Sequence, residues 1–161
     1  MRLLLNFETL KMTALVNTYS LFKIPLIAFV TPTVEELTDE RTVVKIRLGL
    51  RTRNHLRVMY FGALAVGAEL SIATKALKSI QASGKRIDFI FKDFQAEFLK
   101  RADGHVHFVC EEGKKVAQLV EKAAKQKDRV EAVFNGYAFV PSRSLDPVMK
   151  YRLTLSLKNR G

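Results

Sequence analysis

Between Tyr60 and Ile80 the chain carries Phe61, Leu64, Ala65, Val66, Ala68, Leu70, Ile72, Ala73, Ala76 and Leu77, with little room for a polar face in the first turns. A helix of this pattern is apolar nearly all round and must be buried by other parts of the chain. Gly62, Ala63, Ala65, Gly67 and Ala68 keep its surface thin, so neighbours pack close to its backbone. Lys75 and Lys78 predict that only its C-terminal end emerges, and Ser83-Gly84-Lys85 marks its stop.

What can bury such a helix follows from the remaining patterns. Leu3, Phe7, Leu10, Ala14, Leu15 and Tyr19 recur at three- and four-residue steps and predict an amphipathic helix from about Leu3 to Ser20. Pro25 to Leu37 reads as extended chain, with Pro32 at a bend or edge. Thr38-Asp39-Glu40-Arg41 is a polar turn. Val44, Ile46, Leu48 and Leu50 then alternate with Lys45, Arg47, Arg51 and Arg53, which predicts a half-buried strand with a basic outer face. Beyond the apolar helix, strands are expected over Arg86–Leu99, His105–Glu111, Arg129–Phe134 and Met149–Lys158, with a second amphipathic helix over Lys114–Lys127. An α+β fold, with an antiparallel sheet wrapped around the apolar helix, satisfies all of these patterns.

The 161 residues fit a single domain, expected to span 1–161 with an N-terminal helix at about 3–20. With 48% hydrophobic and 27% charged residues the chain is globular rather than disordered. Its one cysteine, Cys110, forms no intramolecular disulfide and reads as a core residue. His105 and His107 stand two apart on a strand without a third ligand in view, so no metal is expected. Ser142 and Ser144 lack the context of a nucleophilic serine. No apolar run is long enough to be a transmembrane segment. Asn6, Glu8 and Lys11 interrupt the N-terminal apolar stretch and argue against a cleaved leader, so a cytoplasmic location is expected. The formal charge of +11 points to an anionic partner. Nucleic acid is disfavoured, because neither a recognition helix nor a ribonucleoprotein-type aromatic motif is present.

Chemistry concentrates where the basic strand meets the apolar helix: Arg53-Asn54-His55-Leu56-Arg57-Val58-Met59-Tyr60-Phe61-Gly62-Ala63, then Gly67-Ala68-Glu69. Asn54 and His55 are polar groups on a loop beside a buried helix. The helix start offers free amides and the positive end of a dipole. Glu69 is a carboxylate inside the most apolar segment, where ionisation is costly unless the group is paired or used. Plainer readings stand beside these. Glu69 pairs with a buried cation, Asn54 satisfies the backbone of its own turn, and His55 packs in its loop.

The residues Arg53-Asn54-His55, Gly62-Ala63 and Ala68-Glu69, in this order of strands and helices from about Pro25 to Lys158, resemble the hot-dog fold thioesterase superfamily. The likeness is to its small bacterial thioesterase-like branch with an Asn-His loop and a Glu in the central helix. Two positions depart from it: Arg57 stands where many relatives have glycine, and Tyr60 where a histidine is frequent. The resemblance implies a hot-dog fold and a homodimer or dimer of dimers, with the active site where one central helix meets the partner. It implies an acyl-CoA thioester as substrate, coenzyme A being part of that substrate and no separate cofactor being needed. Carried over by position, Glu69 is the base or nucleophile, Asn54 and His55 position the water or the thioester, and the amides of Phe61 and Gly62 form the oxyanion hole. Arg41 to Arg57 contain no acid, and Arg51, Arg53 and Arg57 suit the phosphates of coenzyme A. A solvated strand face is the plainer reading of these arginines. The alternative function is a non-catalytic module that binds acyl-CoA or lipid.

Overall fold

The computed structural model describes residues 7–161. Its elements run α1 (Phe7–Lys23), α2 (Pro25–Val30), β1 (Thr33–Leu37), β2 (Thr42–Ile46), α3 (Phe61–Ser83), β3 (Ile87–Phe98), β4 (Val106–Cys110), α4 (Gly113–Ala124), β5 (Val130–Val140) and β6 (Ser144–Asn159). All six strands form one antiparallel sheet in the order β1-β2-β4-β5-β6-β3, with β1 and β3 at its edges. The expected α+β architecture, a sheet wrapped around the apolar helix, is the observed one.

The composition of α3 explains how it sits. Ala68, Ile72 and Ala76 are wholly buried. Gly67 faces the ring of Phe108 on β4 so closely that a Cβ built there would lie 2.2 Å from it. The helix therefore approaches the sheet at a distance that a larger residue would forbid. Gly84 closes α3 at φ 64, the left-handed conformation that glycine adopts freely. One turn on, on the same face of α3, Ser71 and the Tyr151 hydroxyl lie 2.7 Å apart in a hydrogen bond, and Tyr151 also donates to the carbonyl of Val109 at 3.2 Å. The buried phenol of β6 thus finds its partners on α3 and β4.

Several expectations need correction. The N-terminal helix exists, but its buried stripe is Thr9, Met12, Val16 and Ser20. Phe7, Leu10 and Tyr19, expected on the inner face, are exposed, and Leu3 lies outside the described residues. Polar anchors turn the helix this way. The Val34 amide donates to Thr13 Oγ1 at 2.8 Å, and Asn17 Nδ2 donates to the Pro32 carbonyl at 2.9 Å. Residues 25–30, read as extended, form α2, because Pro25 occupies its first turn with φ already fixed for a helix. The basic strand stops at Ile46. Thr52 Oγ1 donates to the Arg47 carbonyl at 2.6 Å and accepts from the Gly49 amide at 3.0 Å, folding 47–52 into a turn. Lys45 does not face open solvent but pairs with Glu35 on β1. Lys75, expected to emerge, is buried and bonds to Asp39 at 3.0 Å and the Thr38 carbonyl at 2.9 Å. β5 continues to Val140, past its expected end at Phe134. Among the described residues no helix is long and apolar enough to cross a membrane.

Candidate active site

The loop from Gly49 to Tyr60 leads into α3. Its conformation is set by Asn54, whose Oδ1 accepts from the amides of Leu56 at 2.9 Å and Val58 at 3.3 Å. The side-chain oxygen thus serves its own turn, the plainer of the readings given above for this residue. Arg57 stands at φ 61, a backbone conformation suited to glycine. His55 and the arginines 51, 53 and 57 are exposed. Arg51 lies over the ring of Phe29 on α2, 5.5 Å from its centroid.

Tyr60 enters α3 in extended conformation and offers no side-chain cap. The first-turn amides, those of Phe61 and Gly62 among them, have no intrahelical acceptor and carry the positive end of the helix dipole. Tyr60 N is held by the Thr52 carbonyl at 2.7 Å, and Met59 N by the Ala102 carbonyl at 2.9 Å, so the helix start is fixed on two sides. The Phe61 ring is half-exposed and meets Tyr60 and Phe98 edge to face.

Glu69 is half-buried two turns into the helix. Among the described residues it has no hydrogen-bond or ion-pair partner. Burial alone pushes its carboxyl above the ordinary carboxylate value. The alternative of a buried cation beside Glu69 is therefore not what the geometry contains. Glu69 opens on a groove of about 960 Å³ between α1–α2, α3 and β3, whose walls include Tyr19, Ile24, Gly62, Phe89 and Phe94. A small cavity of about 50 Å³ under α1–α2 adjoins it and shares Glu69, Tyr19, Ile24, Leu77 and Phe89. The groove is mostly apolar, its two carboxylates being Glu69 and Asp88, the second paired with Arg160, and an apolar groove with few polar groups is the usual form of a small-molecule site.

Gly62 and Glu69 thus share one groove. Asn54 and Phe61 line a different cleft, of about 440 Å³, with Met59, Phe98 and Ala102. Within one copy the predicted residues fall into two groups on either side of the start of α3. The contribution of α1 and α2 to the groove was missed from sequence, since α2 was read as extended.

The remaining candidates are structural. Cys110 is buried, with its thiol pushed up to about 11 by desolvation. His105 Nδ1 accepts from the Leu48 amide at 3.1 Å, and His107 packs on Phe139 with its imidazole pKa lowered by burial.

Solved structures share this architecture. A protein of unknown function from Chlorobaculum tepidum superposes with a TM-score of 0.78 at 9% identity, covering 93% of this chain and 96% of that one. A variant of a thioesterase from Pseudomonas aeruginosa gives 0.66 at 16%, covering 91% and 94%. A thioesterase from Haemophilus influenzae gives 0.61 at 15%, covering 83% and 82%. At these identities the likeness establishes the fold, which is the hot-dog expected from the sequence. Among curated proteins none matches the chain. One family model does match, over residues 12–135, from α1 through the whole of α3 to the middle of β5, and by that match the chain belongs to the family described as a domain of unknown function, DUF4442.

Proposed function

We propose that the protein hydrolyses an acyl-CoA-type thioester, with Glu69 as base or nucleophile. The observation that carries this reading is an unpartnered carboxylate on an apolar helix, open to a groove with room for an acyl chain. As base, Glu69 takes a proton from water, the hydroxide adds to the thioester carbonyl carbon, and the carbon–sulfur bond breaks to release the thiolate. As nucleophile, its own oxygen adds to that carbon, the carbon–sulfur bond breaks to release the thiolate, and water later cleaves the resulting anhydride. In both cases the amides of Phe61 and Gly62 suit the developing oxyanion, and loss of one such donor typically costs ~10²–10³ in rate.

The direction of those amides favours a site built by two copies. Helix N–H groups point toward the start of the helix, while Glu69 lies two turns, about 10 Å, further in. A carbonyl held at the start of α3 in one copy is better served by the carboxylate of another. Arg51, Arg53 and Arg57, exposed on the loop before α3, suit the phosphates of coenzyme A. Thioesterases among the solved structures of this fold add support.

A second reading, binding of acyl-CoA or lipid without turnover, is favoured by one observation. The Asn54 oxygen is occupied by its own turn and not free to orient water. Thiol release from a panel of acyl-CoA chains, beside binding of the same panel, separates the two. Turnover is expected, falling at least ~10²-fold in Glu69→Gln. Saturable binding without turnover selects the second reading, and a folded Glu69→Gln with full turnover removes the catalytic assignment.

A further inference from the structure

Helix α1 is turned inside out for a surface helix. It buries two hydroxyl residues, Thr9 and Ser20, with Met12 and Val16. Phe7, Leu10, Leu21 and Phe22 are exposed, and exposed apolar residues continue through α2 into the arginine loop. Phe22 is 78% exposed, Leu26 64%, Phe29 54% and Leu50 82%. Single exposed apolar residues are ordinary, but a concentration of this size marks a contact surface. The Arg51–Phe29 contact joins the loop to α2 and makes the two segments one face.

Past Glu8, the charges of α1, α2 and the 47–57 loop are of one sign. Neither residues 9–34 nor residues 41–68 contain an acid. Lys11, Lys23, Arg47, Arg51, Arg53 and Arg57 are all exposed, and Arg51 lies on the α2 side of the loop against Phe29. Large apolar side chains set among cations and free of acids match the boundary between anionic headgroups and acyl chains. A second copy is a poorer occupant. Isologous pairing places the face against itself and sets arginine against arginine. A soluble acidic partner would satisfy the cations but leave Phe22 and Leu50 without an apolar phase to enter.

We propose that the outward face of α1–α2 and the 47–57 loop docks the protein on the surface of an anionic lipid bilayer. The apolar tips enter the headgroup layer and the cations meet phosphates. The groove holding Glu69 takes part of its wall from the same two helices, so an acyl chain from the bilayer would reach it without crossing open water. Docking itself does not depend on the hydrolase reading, and its test reads no turnover.

The test is flotation with vesicles of phosphatidylcholine alone and of three parts phosphatidylcholine to one part phosphatidylglycerol, at about 0.1 M salt, where charges beyond roughly 10 Å are screened. The protein is expected to float with the anionic vesicles only. Phe22→Ser/Leu50→Ser should bind them at least ~10-fold more weakly, the loss of two apolar side chains from a nonpolar phase. Lys23→Glu should also weaken binding. All these side chains are exposed, and unchanged melting of each variant checks that the fold persists. The proposal is overturned if wild type ignores anionic vesicles, if it binds neutral ones equally, or if the apolar variant binds undiminished, which is the signature of charge alone. It is equally overturned if that variant halves the particle mass in light scattering, since the face would then join two copies of the chain.

Discussion

Glu69 shows how much one residue can carry when its surroundings are apolar. Burial alone raises its carboxyl above the ordinary carboxylate range. The sign of the stability effect follows. The folded chain holds the proton in a window where the unfolded chain has lost it. The destabilising contribution of the charge is absent below that window and fully present above it. Glu69→Gln should therefore melt at or above wild type at pH 7, and the difference should vanish below about pH 4, where both states are protonated. Paired melting scans across this range check it. A variant that instead loses ~3–5 kcal/mol would identify Glu69 as half of a structural ion pair. If Glu69 is also the base, turnover should rise with pH through a midpoint above the usual carboxylate range, which a pH–rate profile measures.

At the scale of elements, the close approach of α3 to the sheet is a matter of volume. Gly67 leaves space for the Phe108 ring, which is itself wholly buried and cannot swing aside. Gly67→Val should cost about 1–3 kcal/mol by overpacking, against a gain in helix propensity of less than 1 kcal/mol. A lowered melting temperature in thermal unfolding is the expected result, and an unchanged one would mean that helix and sheet are not held as described. The elements also show what the sequence could and could not reveal. α3 was legible because its apolar residues exceed one face, and Glu69 stood out in it for the same reason. The periodicity of Leu10 and Tyr19 correctly indicated a helix. It misled about the buried side, because Thr13 and Asn17 bond to β1 and Pro32 and decide the rotation. Such anchors pair positions roughly twenty residues apart, and no local pattern records them. Lys75 failed in the same way, its partners Thr38 and Asp39 being remote in sequence. The Asn54 loop was legible as polar punctuation, but only the geometry tells that its oxygen closes a turn.

The whole molecule carries two unfinished boundaries. β3 is an edge strand, with Ile90 and Phe98 about half exposed. Folded proteins usually cover such an edge. Light scattering at micromolar concentration should find at least a dimer, and a stable folded monomer would remove both that expectation and the two-copy site. The charge of +11 is the second boundary. Reversing Arg51 and Arg53 together to glutamate should weaken binding of free coenzyme A and flatten its salt dependence, since screened charge pairs would make that contact. Calorimetric titration at two salt concentrations measures both, and unchanged affinity would assign these arginines to another role.

The order of strands in the sheet also has a history in time. Among the described residues β3 pairs with β6 alone, from Ile87 opposite Asn159 to Phe98 opposite Met149, so its partner is synthesised roughly fifty to seventy residues later. At about 5–20 residues per second, a ribosome takes several seconds to supply it. Throughout that interval the newborn chain holds out Ile87, Phe89, Phe91, Phe94 and Phe98 with no strand to receive them. β6 is thus the segment that closes the sheet over this aromatic strand, and the protein is most vulnerable to clumping just before β6 emerges.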